Sequence, residues 1–478
     1  MKLNEIKLTN PYLSLPSECH DRVKPAPLNE VFLIHANESV AEMLGIDKDE
    51  LKTEAFVDLA NGALQPEGSD TFAMCYAGHQ FGFFVERLGD GRAINIGTLN
   101  GLHMQLKGAG QTKYSRSGDG RAVLRSSIRE YLMSEAMFGL GIETTRALAL
   151  LGSKHSVYRQ EWEKGAIVLR VSPSWVRFGT FEYFAHKKKY EELEALADYA
   201  IAESYPHLMD EENKYFYFFA EVVGKTARLM AEWQAVGFNH GVMNTDNMSI
   251  AGLTIDYGPY AFLDDYDFNY ICNHTDQYGR YSFGSQPNVG EWNLRALMVA
   301  LASLVKTEEL QKIMGQYSTF YTNHYLSLMT KKLGFDTHSD DDLELIKHLL
   351  GMLQSLSVDY TLFFRTLSRY DGERKELLKL GLYHTPMNDW LDDYDTRLEQ
   401  NRSCTEERQE KMLKTNPKYV LKNYMLQEAI DAAENGEYTL VEDLFKIAHD
   451  PYAEHEAYEK WSGVTPDEFK NRKLSCSS

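Results

Sequence analysis

Apolar positions along this chain keep two different periods, and the change between them divides it. Between residues 71 and 106 they come in short runs, at 81–85, 92–96 and 102–106, with glycine-containing turns between them. Short apolar runs bounded by glycine predict strands, and their order predicts an antiparallel meander. Val123, Leu124, Ile128, Tyr131 and Leu132 then recur at helical spacing, with Gly139 as a stop. Residues 167–171 read as one more strand, ended by Ser172-Pro173. Helical spacing dominates from there. Residues 216–236 are the clearest case, with Phe219, Val222, Val223, Met230 and Trp233 on one face and Gly237 at the end. A loop over 238–247 and two very short strands, 248–250 and 253–255, interrupt the helices.

Beyond Trp292 nearly everything reads as helix. Residues 343–353 follow the acidic run Asp340-Asp341-Asp342, which suits a helix N-terminus. Residues 419–434 follow Pro417 and stop near Gly436. The first 70 residues read as loops and short helices, such as 39–44 before Gly45. The expected architecture is α+β: an N-terminal segment (1–70) packing on the core, a small antiparallel sheet with one helix (71–180), a helical lobe (181–330) and a helical extension (331–478).

Composition sharpens this picture. Hydrophobic residues make up 43% and charged residues 25% of the 478, enough for sizeable cores. The net charge of −20 repels nucleic acid and anionic membrane, so neither is an expected partner. Any phosphate must sit in a local positive pocket. The one compact basic run, His186-Lys187-Lys188-Lys189, reads as a solvated helix end or loop. Cys19, Cys75, Cys272, Cys404 and Cys476 form no CxxC and keep no zinc spacing, and their odd number suits a reducing compartment. The N-terminal stretch lacks the apolar core of a signal peptide, and no run of about 18 apolar residues exists to span a membrane. A cytoplasmic protein is expected.

Chemistry-bearing residues concentrate in the middle of the chain. Gly89-Asp90-Gly91-Arg92 forms a turn whose amides can approach phosphate, or a plain hairpin turn. Lys107 ends a strand and Glu130 lies on the next helix, the pairing that positions phosphates in protein kinases. Asp119-Gly120-Arg121 makes a second glycine turn. Arg170 and Arg177 flank a strand exit, facing either an anion or a structural carboxylate. His240-Gly241-Val242-Met243-Asn244-Thr245-Asp246-Asn247, followed by Asp256-Tyr257-Gly258, repeats the order of a kinase catalytic loop and its metal-binding Asp-Phe-Gly. One position departs from that order. Val242 stands where kinases carry the proton-accepting aspartate, and Asp246 is the nearest carboxylate that can replace it.

These residues, with Tyr76-Ala77-Gly78-His79-Gln80-Phe81-Gly82, residues 172–179, Tyr281-Ser282-Phe283 and Gln286-Pro287, resemble the selenoprotein O family. Its members are kinase-like protein adenylyltransferases once grouped with pseudokinases. The resemblance implies a protein-kinase-like bilobal fold. It implies ATP bound in an inverted sense, with AMP passed to Ser, Thr or Tyr hydroxyls of proteins, and UMP from UTP as a further outcome. It implies that Gly89, Gly91, Arg92, Lys107, Asp119, Gly120, Arg170, Arg177 and Asp256 bind nucleotide. Asn247 and Asp256 would hold Mg²⁺ or Mn²⁺, and Asp246 would be the base. It also makes Cys476, third from the C-terminus, a redox candidate; Cys272, shortly after the metal loop, either pairs with it in a reversible disulfide or stays, like it, a free thiol. A γ-phosphate-transferring protein kinase, a nucleotide-binding scaffold and a small-molecule phosphotransferase are the competing readings.

Overall fold

The computed structural model describes residues 1–159 and 161–470. Its strands, in chain order, are β1 (His20–Arg22), β2 (Val31–Ala36), β3 (Phe72–Met74), β4 (Gly78–Gln80), β5 (Phe83–Val85), β6 (Ala93–Leu99), β7 (Leu102–Lys107), β8 (Ala122–Val123), β9 (Arg146–Tyr158), β10 (Trp162–Ser172), β11 (Phe238–Asn239) and β12 (Ala261–Phe262). Eight of them form one antiparallel sheet in the order β1-β3-β6-β7-β10-β9-β2, with β8 also on β10.

The sheet is buried on both sides, and alternation along each strand decides what faces where. On β10, Ile167, Leu169 and Val171 enter one core with the N-terminal helices, while Ala166 and Val168 enter the other. Arg170 therefore shares its face with Ala166 and Val168. On β7, Met104 and Leu106 join the first core, which leaves Gln105 and Lys107 on Arg170's face. Register completes the row: Lys107 pairs with Val168 and Ala93, and Gln105 pairs with Arg170 and Asn95.

The helices are α1 (Glu38–Leu44), α2 (Glu54–Asn61), α3 (Leu124–Gly139), α4 (Phe178–His186), α5 (Tyr190–Ser204), α6 (Lys214–Val236), α7 (Gln286–Leu301), α8 (Thr307–Met314), α9 (Tyr317–Lys332), α10 (Asp342–Leu356), α11 (Tyr360–Leu367), α12 (Lys375–Leu378), α13 (His384–Leu398), α14 (Thr405–Thr415), α15 (Asn423–Glu434) and α16 (Thr439–His449). Helices α10 to α14 build a core of their own around Phe363, Trp390 and Tyr394. Helices α15 and α16 leave it and return to pack on α3. There His449 Nδ1 meets Glu135 at 2.6 Å, and Arg146 reaches the same carboxylate at 2.7 Å. The end of the extension thus braces the helix that carries Glu130. Among the described residues no helix is long and apolar enough to cross a membrane.

Three local expectations need correction. The first 70 residues hold strands β1 and β2 as well as short helices, because both edges of the sheet are completed from the N-terminal segment. The run 81–85 is not one strand. Phe81 and Gly82 both take positive φ, 50° and 87°, and turn the chain into the β4–β5 hairpin. Residues 248–250 and 253–255 form only isolated bridges, Ser249 with Arg177 and Thr254 with Thr144. Their backbone groups are shared between two separate neighbours, Ile250 N with Val176 O and Thr254 N with Glu143 O, so no ladder develops. The ladder that closes this loop is β11 with β12.

Candidate active site

The polar row on the sheet and the loop between β11 and β12 meet at one cluster. Lys107 Nζ lies 2.5 Å from Glu130 Oε2. Glu130 Oε1 accepts from Arg170 at 2.9 Å, and the same Arg170 nitrogen donates to Asp256 Oδ1 at 2.6 Å. Arg177 donates to the other Asp256 oxygen and, at 2.6 Å, to the backbone carbonyl of Asp246. Both arginines are only 2% exposed, and each lies over an aromatic ring, Arg170 on Trp175 and Arg177 on Tyr76. Charges so buried require partners, and here they partner each other. Burial pushes the Asp256 carboxyl up, but Arg177, Arg170 and Lys107 together hold it well below the usual carboxylate range. Asp256 also sits at φ +57°, a left-handed conformation uncommon outside glycine.

Beside this cluster opens a cleft of about 670 Å³. Gly89, Gly91, Arg92, Lys107, Asp119, Gly120, Arg170, Arg177, Asn247 and Asp256 all line it. Every nucleotide and metal candidate from the sequence therefore faces one cavity. Gly89 is required there: at φ +78° a Cβ would come within 2.3 Å of the Tyr114 ring. Asp119 differs from the rest. It is half exposed and paired with Arg159 at 2.8 Å.

The loop itself is held rigidly. His240 stacks on Trp233, sits with Nε2 3.0 Å from Ile255 O, and takes the Val242 amide on Nδ1 at 3.4 Å. Burial lowers its pKa, so a neutral ring donating to Ile255 O fits this pattern. Asn247 donates its amide to Val242 O at 3.0 Å, which reserves its carbonyl oxygen as an acceptor. Val242 lines the cleft and offers no proton acceptor.

Asp246 lies on the other side of this loop, under the β4–β5 hairpin. His79 N donates to Thr245 Oγ1 at 2.7 Å and Gln80 Nε2 to Asp246 Oδ2 at 3.3 Å. Gly78 packs so closely that a Cβ would fall 2.8 Å from Asp246 Oδ1. That oxygen is buried and has no hydrogen-bond partner among the described residues. Burial raises the Asp246 pKa to about 7. A carboxylate poised there can take a proton at neutral pH.

The sequence reading passed over Asp90, Asn95 and Gln105, which are buried beneath the arginines. Gln105 accepts from Arg170 and donates to Asp90 Oδ2 and Asn95 Oδ1, both at 3.3 Å. The signal was available for two of them, since Asn95 and Gln105 alternate with Ile94, Ile96, Met104 and Leu106 on buried strands. The basic run 186–189 ends α4 and spends its charge on neighbours, Lys189 on Glu18 at 2.6 Å for one. Cys272 is fully buried, its thiol 2.7 Å from Asn239 Oδ1; Cys476 lies outside the described residues.

Over residues 2–449 the chain matches the family described as protein adenylyltransferase SelO, and it belongs to that family. It is thus an enzyme of the nucleotidyltransferase class. It is 44% identical to protein nucleotidyltransferase YdiU of Myxococcus xanthus (strain DK1622), across 100% of this chain and 99% of that one. The proteins of the same description from Herminiimonas arsenicoxydans and Aliivibrio salmonicida (strain LFI1238) are 43% and 44% identical, over 98% and 99% of their lengths.

Proposed function

We propose that this enzyme works as a kinase-like bilobal machine that moves AMP from ATP to Ser, Thr or Tyr hydroxyls of acceptor proteins. The observation that carries this reading is the division of labour in the loop: Val242 cannot accept a proton, whereas Asp246 keeps an unpartnered buried oxygen and a pKa raised to about 7. A base displaced from the 242 position implies a displaced phosphorus.

In this account the acceptor hydroxyl gives its proton to Asp246 as its oxygen bonds to the α-phosphorus. The bond from that phosphorus to the bridging oxygen breaks, and pyrophosphate leaves. Lys107, Arg92, Arg170 and Arg177 supply fixed positive charge around the cleft for the β- and γ-phosphates. Glu130 and Gln105 keep Lys107 and Arg170 pointed at that position.

The donor set suits a hard divalent cation. Asn247 and Asp256 offer oxygens to the same cleft, and among the described residues no group of three or more His, Cys, Asp or Glu side chains could hold a metal. Mg²⁺ or Mn²⁺ held by these two residues would take its other ligands from phosphate and water. Such an ion, when bound, neutralises phosphate charge. Transfer of UMP from UTP belongs to the same reading, as does redox control through a Cys272–Cys476 disulfide.

Intact-mass analysis of an acceptor protein incubated with enzyme, ATP and Mg²⁺ or Mn²⁺ tests the proposal. An AMP adduct supports it. A phosphate adduct makes the enzyme a γ-transferring kinase, and bound nucleotide without any adduct favours a scaffold.

A further inference from the structure

The β4–β5 hairpin has two sides, and only one of them serves the loop below. Adjacent residues on a strand point opposite ways. Gln80 reaches down to Asp246, while the neighbouring His79 borders a separate cavity of about 810 Å³ between the hairpin, α4 and α7. Phe84, Tyr190, Trp292 and Val299 make its walls largely apolar and aromatic. Tyr190 and Val299 are 52% and 70% exposed, so the cavity opens to solvent. A second cavity, of about 670 Å³, shares Trp292 and continues along the hairpin past Phe83, which is 79% exposed. Large exposed aromatic surface of this kind marks an interaction site.

One feature of the first cavity selects its occupant. Glu182 is 5% exposed and lines it. One of its oxygens binds His79 Nδ1, and the other, Oε2, is buried with no partner among the described residues. A buried carboxylate oxygen without a donor is costly, so a cationic donor that reaches it gains both the hydrogen bond and the charge. Arg280 already lies over the Trp292 ring, 4.6 Å from its centroid, so this wall is one that takes a cation, and the exposed Tyr190 offers a further ring. The arginine at the rim, Arg295, is already matched by Glu291 at 2.5 Å. The chain as a whole, at −20, draws basic segments towards it.

We infer that this cavity receives a lysine or arginine of the acceptor protein, carried on an extended segment whose target hydroxyl reaches Asp246. This rests on the adenylyl-transfer reading for the identity of the acceptor. Adjacent residues of β4 link the two sites, His79 touching Glu182 and Gln80 touching Asp246. Glu182 becomes a specificity-determining residue, and Trp292 and Val299 seat the apolar stem of the basic side chain.

Fluorescence anisotropy on the full-length enzyme tests this at about 0.15 M salt. The probes are short fluorescein-labelled peptides with a central serine, identical except for flanking arginines, glutamines or glutamates. The arginine peptide should bind roughly tenfold more tightly than the glutamate peptide, a clear step in affinity. Glu182→Gln should bring arginine and glutamine peptides to within about twofold. Val299→Arg, a change at the exposed rim that spares the core, should weaken the arginine peptide several-fold more than it weakens the glutamine peptide. Equal binding of all three peptides, no binding at millimolar concentration, or a preference that survives Glu182→Gln overturns the inference. Transfer from α-labelled ATP is read in parallel. A charge preference without transfer sinks the adenylyl reading and keeps the site; transfer without a charge preference does the reverse.

Discussion

Two aspartates, 246 and 256, leave the same loop for opposite surroundings. Asp256 is gripped by Arg170 and Arg177, and its carboxyl is held well below the usual range. Asp246 is more deeply buried, has no cation on its carboxylate, and its pKa climbs to about 7. Burial alone pushes both up. The two arginines reverse it for Asp256, whereas Arg177 reaches only the backbone carbonyl of Asp246, and burial outweighs its charge there. Two carboxylates made so different suit two tasks, one an anion that organises positive charge and one a proton acceptor.

The largest expected effect comes from erasing the Asp256 side of that contrast. Asp256→Asn should lower transfer by about a thousandfold or more, since electrostatic organisation carries most of such catalysis. Nucleotide measured by calorimetry in EDTA should still bind, because both arginines then lack their carboxylate.

Next comes the Asp246 side. Asp246→Asn should lower transfer by roughly a hundred- to ten-thousandfold. In the wild type, kcat/KM should rise as pH passes about 7, and the variant should lose that rise. Stability gives an independent check. The folded-state pKa is raised, so the folded protein prefers the proton and ionising Asp246 costs stability as pH climbs from the ordinary carboxylate range to about 7. Urea unfolding should therefore find Asp246→Asn more stable than wild type at pH 8, on the order of 2–4 kcal/mol, and equal to it near pH 4.

A milder change sharpens the comparison from beneath. Gln105→Leu removes the acceptor that holds Arg170 while leaving the arginine itself. It should raise the KM for ATP about tenfold and leave the pH profile of kcat/KM in place. The smallest effect is expected far from the cleft. His449→Ala breaks the contact to Glu135, which raises the His449 pKa. A raised pKa gives stability that is present below the ordinary histidine range and lost as pH rises through the folded value. The variant should lose less than about 1 kcal/mol at pH 6 and nothing at pH 9, with transfer nearly unchanged.

Much of this was legible from residue order. The alternation that buries Ile94, Leu106 and Leu169 also dictates that Asn95, Gln105, Lys107 and Arg170 share a face, and the loop motif supplies Asn247 and Asp256. What could not be read are contacts between distant segments. Nothing local in Tyr76-Ala77-Gly78-His79-Gln80 says that it will cover Asp246, because its turn depends on Phe81 taking positive φ and its docking on Thr245 and Tyr281. Of the two N-terminal strands, β2 (Val31–Ala36) was legible in its apolar run, and β1 was not. β1 is three polar residues that form a strand only against β3. The return of α16 to α3 is equally non-local, since His449 and Glu135 lie 314 residues apart.

The most direct test of the account compares label transfer to an acceptor protein from ATP labelled at the α or at the γ phosphorus, with wild type and Asp256→Ala side by side. Label from α-ATP alone, abolished in Asp256→Ala, is the predicted result. Label from γ-ATP alone would contradict it and make Asp246 the base of an ordinary phosphoryl transfer.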